Sequence, residues 1–525
     1  MSMKKTIRKI VKLGLALSLS LGLITQPAFA AVSDPNEKPY MSYYNITNPY
    51  ADVDWDTYGQ YKANLHTHTS LSNDVTGGAN TYVSSMIEKY YAEGYDIVSI
   101  NDHQNISRNW DDYASTHRPL TTERYTEILT GAERNGRGMV DVPLSNEQNN
   151  MMRGQHVLSY FTNWNANAPV TTLNGLFGAL ATYDQVFTGI NNAGGIGFVA
   201  HPGREVTGII TAYGNNPERL SNILAAIFLK YPDAAYGLEI FGVGDGETRS
   251  DRVLWDRMLM QTAPYGKNVF GISNDDAHST SEVGRGGSKT MFVMAENTVE
   301  NVEAAMRSGS FYASAAMTLA SQFRISNGVI VSGTNGEPAF NYVNSGVPTP
   351  VISNINIDGN VISVEGKYYH TIEWIADGAV IATGNSIDLM EYKDVINSYI
   401  RFQLKGDGGI SWANPMLLEL IELDFVKAAV KSFNANLQNG NNGNLKFVVT
   451  VTLSDGSTYE VEHTEKVKGG EKGSKTFDYG DYKVSVTWND NNKVTKCEVD
   501  GGAAPIVPGQ SGNSQGSSKG NQNQQ

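Results

Sequence analysis

The sequence predicts an α/β chain: a barrel of about seven strand-helix units, then a β-sandwich, then a small α+β module. Three observations carry that expectation. From residue 58 to 314, short apolar runs alternate with longer segments of helical spacing, the pattern of repeated strand-helix units around a parallel sheet or barrel. Beyond Ser314 that pattern gives way to short alternating runs with turn dipeptides between them. Six of the nine histidines stand in a few short motifs, most of them at the end of an apolar run.

The elements follow in order. Met1 to Lys12 carries Lys4, Lys5, Arg8, Lys9 and Lys12 with no acid, Leu13 to Ile24 is largely apolar, and Ala28-Phe29-Ala30 has small residues at both recognition positions. Residues 1–30 therefore read as a secretory signal peptide whose apolar run is too short to span a membrane. The mature chain is expected to start at Ala31, outside the cytoplasm, in the extracellular space or cell envelope. No other stretch has the length and apolarity of a transmembrane anchor, and no Cys follows the apolar segment to carry a lipid.

After a lead-in at 31–57, strands are expected at Tyr61 to Leu65, Asp96 to Ile100, Met139 to Leu144, His156 to Tyr160, Ile196 to Ala200, Leu238 to Phe241 and Val269 to Ile272. Helices are expected at Thr81 to Ala92, Leu173 to Asn192, Pro217 to Lys230, Arg249 to Thr262 and Val299 to Ser308. Within 315–422, runs at Ile355 to Ile357, Val361 to Val364, Thr371 to Ile375 and Tyr399 to Leu404, with Asp358-Gly359 and Asp377-Gly378 as hairpin signals, read as a sandwich. Residues 423–501 read as a helix, Asp424 to Leu437, followed by four strands, and 502–525 as a disordered Gly, Ser, Asn and Gln tail.

Composition narrows the function. The formal charge of -14 becomes -19 once the five N-terminal cations are removed, so nonspecific binding to a nucleic-acid scaffold is disfavoured. The single cysteine, Cys497, forms no internal disulfide, and stability must come from packing and bound metal.

The chemistry sits at strand ends. In His66-Thr67-His68 two imidazoles two residues apart share one side of a strand and can bind one cation together. Alone, such a pair is equally well a surface feature. Asp102-His103, His201 and Asp276-Ala277-His278 end further strands in the same way. Each has a plain alternative as a cap or a loop residue, but four strand ends with one chemistry do not arise by coincidence.

In order, Asn64-Leu65-His66-Thr67-His68-Thr69, Ile100-Asn101-Asp102-His103, Ser145-Asn146-Glu147, Gly154-Gln155-His156, Ala200-His201-Pro202-Gly203 and Asp275-Asp276-Ala277-His278 resemble the polymerase and histidinol phosphatase (PHP) phosphoesterases. Ala304 to Ala313 is similar to the closing helix and strand of exported members. The resemblance covers about residues 58 to 315. It implies a distorted (β/α)7 barrel with three divalent ions at its mouth: one on His66, His68, Glu147 and Asp276, a second sharing Glu147 and held by His156 and His201, and a third on Asp74, His103 and His278. Two departures stand out: Asn64 replaces the usual Asp, and Glu147 lies in Ser-Asn-Glu rather than Gly-x-Glu.

Mixed imidazole and carboxylate ligands suit zinc, manganese or iron. A metal-bridged hydroxide would then attack the phosphorus of a monoester or diester, with His66, His68, Asp102, His103, Asp276 and His278 as the catalytic set. His278, Asp102 or a metal-bound water would assist the leaving oxygen. Arg204 and Arg285 are candidates for phosphate recognition, or surface ion pairs, with Arg153 a weaker third; Glu239 is either support for the ligands or a buried structural carboxylate. His117, His370 and His463 read as ordinary surface residues. Trp412 with Asn414-Pro415 reads as core and turn, although exposed aromatics there could meet a cell-envelope glycan. The expected activity is that of a secreted metal-dependent phosphoesterase acting on a small or polymeric phosphate ester. The alternatives are an amidohydrolase-type hydrolase, disfavoured by the closing Asp-x-His, or a metal-stabilised cell-surface binding protein.

Overall fold

The computed structural model describes residues 42–149, 155–166, 175–203, 217–242, 249–319, 324–326, 329–331, 340–342, 346–423, 425–434, 442–454, 456–468, 470–479, 482–491 and 494–499. The proposed signal peptide, the tail, Arg153 and Arg204 lie outside them. The chain divides into two compact units, one of residues 44–420 and one formed by the rest.

In the larger unit, β1 (Ser42–Thr47), β2 (Gly59–Asn64), β3 (Ile97–Val98) and β4 (Val140–Asp141) belong to a sheet of 11 strands, while β5 (Asn146–Gln148), β6 (His156–Tyr160), β7 (Ile196–Ala200), β8 (Ala235–Phe241) and β9 (Phe270–Ser273) form a second, ordered as numbered. The strands β2, β3 and β4 are mutually parallel, as are β7, β8 and β9. Unlike the all-parallel expectation, β6 runs antiparallel to both β5 and β7. Two isolated parallel bridges, Thr67 with Ala277 and His103 with Glu147, join the ends of the two sheets.

The expected strand Met139 to Leu144 is shortened to two residues, because Leu144 adopts a left-handed backbone (φ 51) and the chain turns into β5, which sequence periodicity did not indicate. Asp96 to Ile100 likewise keeps only Ile97–Val98 as strand. The helices match expectation more closely. Val83–Ala92 buries Val83, Met86, Ile87, Tyr90 and Tyr91, the three-and-four spacing of an amphipathic face. Each large apolar side chain so buried contributes about 1.5–3 kcal/mol. Val299–Ser308 starts where Thr298 accepts the Asn301 amide and stops at Gly309 (φ 86), where a side chain would strike the Phe270 ring.

The long sheet does not end with the strand-helix region. Next to β2 lies β10 (Lys289–Met294), then β11 (Phe311–Ala315), whose outer edge pairs with Gly409–Ala413 and thence with Tyr399–Gly406 and Thr371–Ala376. A separate sheet of Val351–Asp358, Val361–Lys367 and Ser386–Asp388 shares an apolar core with it that includes Ile352, Ile362, Trp374 and Phe402. Asp377 (φ 49) and Gly378 (φ 76) close the Thr371–Ala376 hairpin as a two-residue turn with both φ positive, the twist such hairpins favour.

In the smaller unit, the expected helix Asp424 to Leu437 is instead a strand, Phe425–Asn434, paired with Asn442–Leu453. Register shifts at Phe425/Lys427 and Val430/Ser432 interrupt the two-residue alternation that marks a strand, since each bulge adds a residue. Thr458–Lys468 completes that sheet, and Gly473–Tyr479, Tyr482–Trp488 and Val494–Val499 form another. Among its described residues this unit holds no helix, so the α+β expectation is corrected to β. His463, expected on the surface, is buried and stacks on Phe477 at 3.7 Å between ring centroids. No described helix is long and apolar enough to cross a membrane.

Candidate metal centre

The site forms where β2, β3, β7 and β9 end and β5 and β6 pass. Both His66 and His68 are fully buried just beyond β2, with their Nε2 atoms 3.2 Å apart. Asp276 Oδ1 lies 3.1 Å from His66 Nε2 and 3.0 Å from His68 Nε2. The reversed direction of β6 explains how His156, which begins its strand, joins residues that end theirs: it pairs with Ala200 beside His201.

Glu147 stands at the centre. Its Oε2 is 3.3, 3.2 and 2.8 Å from the Nε2 atoms of His66, His68 and His103, and its Oε1 is 2.7 Å from His156 Nδ1 and 3.2 Å from His201 Nε2. Asp74 completes the set from the side: Oδ2 is 2.9 Å from His278 Nε2, and Oδ1 is 3.5 Å from His103 Nδ1. All nine residues of the expected ligand set are thus in one cluster. Within it, His66-His68-Asp276, His66-Glu147-His201, His68-His103-Glu147 and His68-Asp74-His278 each bring three donor atoms close enough to hold one cation.

Outer contacts orient these rings. His68 Nδ1 meets Ser72 Oγ at 3.0 Å, His103 Nδ1 meets Asn73 Oδ1 at 3.0 Å, His278 Nδ1 meets its own neighbour's carbonyl, Asp276 O, at 2.9 Å, and His66 Nδ1 meets Glu239 Oε1 at 3.2 Å. Four rings therefore turn Nε2 inward, as ligating histidines do when their other nitrogen is engaged. Sequence reading missed Ser72 and Asn73; their only signal is adjacency to Asp74. Asn64 Nδ2 donates to His66 O at 3.0 Å, and its Oδ1 accepts the Asp275 amide at 3.1 Å. An amide serves here because the position calls for a donor and an acceptor together.

Asp102, grouped with the catalytic residues on sequence, is buried with both oxygens engaged by Thr69: Oδ1 accepts the amide at 2.6 Å and Oδ2 the hydroxyl at 2.7 Å. Arg285 lies in a half-open turn, Arg285–Gly287, 3.8 Å from Glu282 Oε1, while Glu282 Oε2 accepts the His278 amide at 2.7 Å. Trp412 is fully buried, stacked near Phe241, and offers no exposed platform for a sugar.

The electrostatics fit a cation site. Burial, the largest influence on each carboxylate, would raise Glu147 and Asp276, yet the surrounding imidazoles hold Glu147 well below the usual range, and His66 and His68 hold Asp276 below it. Burial would lower His68, but Asp276 and Glu147 carry it up to about 10. In the protein alone, then, the imidazoles around Glu147 and Asp276 are what favour their charged forms. His201 Nδ1 is buried without a hydrogen-bonding partner among the described residues, a condition that costs about 1–3 kcal/mol unless a ligand meets it. Divalent ions fit this donor set: imidazole nitrogens and carboxylate oxygens suit zinc, manganese or iron alike.

No family model matches the chain, and no curated protein does. Among solved structures it is similar to a two-domain protein containing a predicted PHP-like metal-dependent phosphoesterase from Bacteroides vulgatus, at 13% identity over 79% of this chain and 96% of that one, with a TM-score of 0.33. It is also similar to a lesion-specific endonuclease from Pyrococcus furiosus, at 14% identity over 47% and 56% of the two chains and a TM-score of 0.28. An amidohydrolase from Chromobacterium violaceum, solved with sulfate and no metal, matches at 13% identity over 42% and 90%, with a TM-score of 0.25.

Proposed function

We propose that this chain is a secreted metal-dependent hydrolase of phosphate esters, with residues 58–314 as a distorted barrel bearing the site, 315–422 as a β module continuous with its sheet, and 423–501 as a separate C-terminal module. One observation carries the reading: the two oxygens of Glu147 face different imidazoles, Oε2 toward His66, His68 and His103 and Oε1 toward His156 and His201. That is the disposition a carboxylate shared between two cations requires. Support for the barrel comes from the bridges Thr67 to Ala277 and His103 to Glu147, which link the ends of the two sheets.

On this reading His66, His68, Asp276 and Glu147 hold one ion, Glu147, His156 and His201 a second, and Asp74, His103 and His278 a third. Bound divalent ions would supply Lewis acidity and an activated water near neutral pH. The chain's own groups do the rest. Asp102 fixes Thr69 and so the turn that carries His68, while Ser72 and Asn73 aim their histidines. Substrate reaches the cluster from the side of Asp74 and His278, whose side chains are 38% and 33% exposed where His66 and His68 are wholly buried. His278, half open and paired with Asp74, would hold the third ion on that open side. Arg204 and Arg285 remain candidates to meet the phosphate from outside.

The test is purified protein of known metal content against a panel of phosphomonoesters, phosphodiesters and amides, with and without chelator, beside His66→Ala and Asp276→Ala. Chelator-sensitive ester hydrolysis, lost in both variants, supports the reading. Cleavage of amides but neither ester class would favour the amidohydrolase alternative.

A further inference from the structure

Glu239 is fully buried within β8, two residues before its end, and what surrounds it is a set of donors. Oε2 accepts the His201 amide at 3.0 Å and Oε1 accepts Asn274 Nδ2 at 3.0 Å. The Asn274 amide cannot be turned round, because its Oδ1 already accepts the Leu65 amide at 2.8 Å. The third neighbour is His66 Nδ1, 3.2 Å from Oε1 and 3.3 Å from Oε2. A carboxylate has acceptors only, so a favourable third contact requires a proton on His66 Nδ1.

Two further features show that this carboxylate is held in place. A Cβ on Gly242 would come within 3.2 Å of Glu239 Oε2, a close approach that would press on the carboxylate. His201 is one of the few non-glycine residues with positive φ, at 25, a strained backbone whose amide is anchored by Glu239. One side chain therefore ties together the ends of β2, β7 and β9, each of which leads into a residue of the cluster.

We propose that Glu239 is a positioning residue that fixes His66 as the Nδ1-protonated form, so that Nε2 enters the cluster as a free donor, and that sets His201 beside it through the main chain. This rests on the metal-site reading above. A glutamine cannot replace it, since an amide offers one acceptor oxygen and turns an N–H toward one of three donors. An aspartate keeps the buried charge but lacks the reach to His66.

The experiment uses zinc, which is diamagnetic, as the probe ion. Zinc affinity is measured by competition with a chelator for the parent, Glu239→Gln, Glu239→Asp and His66→Ala, and the ring N–H proton of His66 is followed by NMR in 15N-histidine-labelled, zinc-loaded protein. The expected result is a slowly exchanging Nδ1–H signal in the parent, its loss in both Glu239 variants, and zinc affinity weakened about 10–100-fold, with far-UV circular dichroism of the metal-free variants showing the parent's fold. Should the glutamine variant fail to fold, the aspartate variant decides. Unchanged zinc affinity together with an intact Nδ1–H signal in a folded Glu239 variant would overturn the proposal while leaving the metal site standing. Full zinc content in His66→Ala would overturn the metal-site reading itself, and this proposal with it.

Discussion

Glu147 Oε1 lies 2.7 Å from His156 Nδ1 and 3.2 Å from His201 Nε2, so one carboxylate oxygen faces two imidazoles at once. Replacing Glu147 by Gln keeps the shape but removes the charge that five imidazoles face. Metal content should fall by at least one ion per chain and ester hydrolysis by more than about 100-fold, beyond the loss expected for a group that only supports a ligand. Metal analysis of the purified variant and its kcat/KM check both.

Removing metal should also be felt in stability. The cluster gathers carboxylates and imidazoles whose mutual balance shifts Glu147 down and His68 up to about 10, and a ligand that binds only the folded state stabilises it by about 2.7 kcal/mol at 100 times its Kd. Chelator-treated protein should melt several degrees lower than the metal-loaded form, and re-addition of zinc or manganese should restore the difference. Equal melting of the two forms would mean that the site does not hold metal tightly.

The role of Asp102 can be separated from catalysis. Since both oxygens are spent on Thr69, the residue acts by holding the turn after His68. Asp102→Ala should therefore lower stability by about 1–3 kcal/mol and weaken metal binding, and Thr69→Ala should show a milder form of the same defects. Neither should change the pH profile of the activity that remains. A basic or acidic limb lost in Asp102→Asn alone would instead assign it a proton-transfer role.

What was legible in the sequence was chemistry at strand ends. His66, His68, His103, His201, Asp276 and His278 each close an apolar run or stand just beyond it, and each reached the cluster. His156 did not fit that rule, since the antiparallel course of β6 brings its first residue to the mouth, and strand direction leaves no mark in periodicity. Glu147 was equally hidden from periodicity, because β5 is three residues long and too short to show alternation; both residues entered the expected set through the family resemblance alone. Farther on, two bulges in Phe425–Asn434 turned a strand into an apparent helix. The junction at Ser314 was legible as a change of pattern but not as a continuous sheet, because the pairing of β11 with Gly409–Ala413 spans about a hundred residues.

That continuity has a measurable counterpart in the buried pair Arg401 and Asp256. Arg401 Nε and Nη2 donate to the two Asp256 oxygens at 2.7 and 2.6 Å, and Tyr399 Oη donates to Oδ1 at 3.0 Å. The pair couples the helix Arg249–Thr262 to Tyr399–Gly406. Arg401→Met alone leaves a buried carboxylate uncompensated and should cost about 3–5 kcal/mol, whereas Arg401→Met with Asp256→Leu should recover much of that loss. Denaturant unfolding of the single and double variants gives the coupling directly. In the parent the 44–420 unit should unfold in one cooperative transition, since it is one compact unit.

A pH-dependent prediction comes from Asp141, away from the cluster at the end of β4. Burial, aided by Asp111, pushes its carboxyl well above the ordinary range, while the Trp110 amide at 3.1 Å and the Tyr125 hydroxyl at 3.5 Å counter this only in part. Its Oδ1 has no partner among the described residues. For an acid whose folded value is raised, the unfolded chain releases its proton first, so stability is lost as pH climbs from the ordinary carboxyl range to the raised folded value. Above that the penalty is complete; below the ordinary range it is absent. Asp141→Asn keeps an oxygen for the Trp110 amide and removes the charge. The variant should thus be more stable than the parent at neutral pH, by on the order of 1–3 kcal/mol, and the gap should close on acidification toward pH 3. Parallel melting curves for parent and variant across that range would show the crossover in slope, and a constant gap at every pH would mean that Asp141 titrates alike in the folded and unfolded chains.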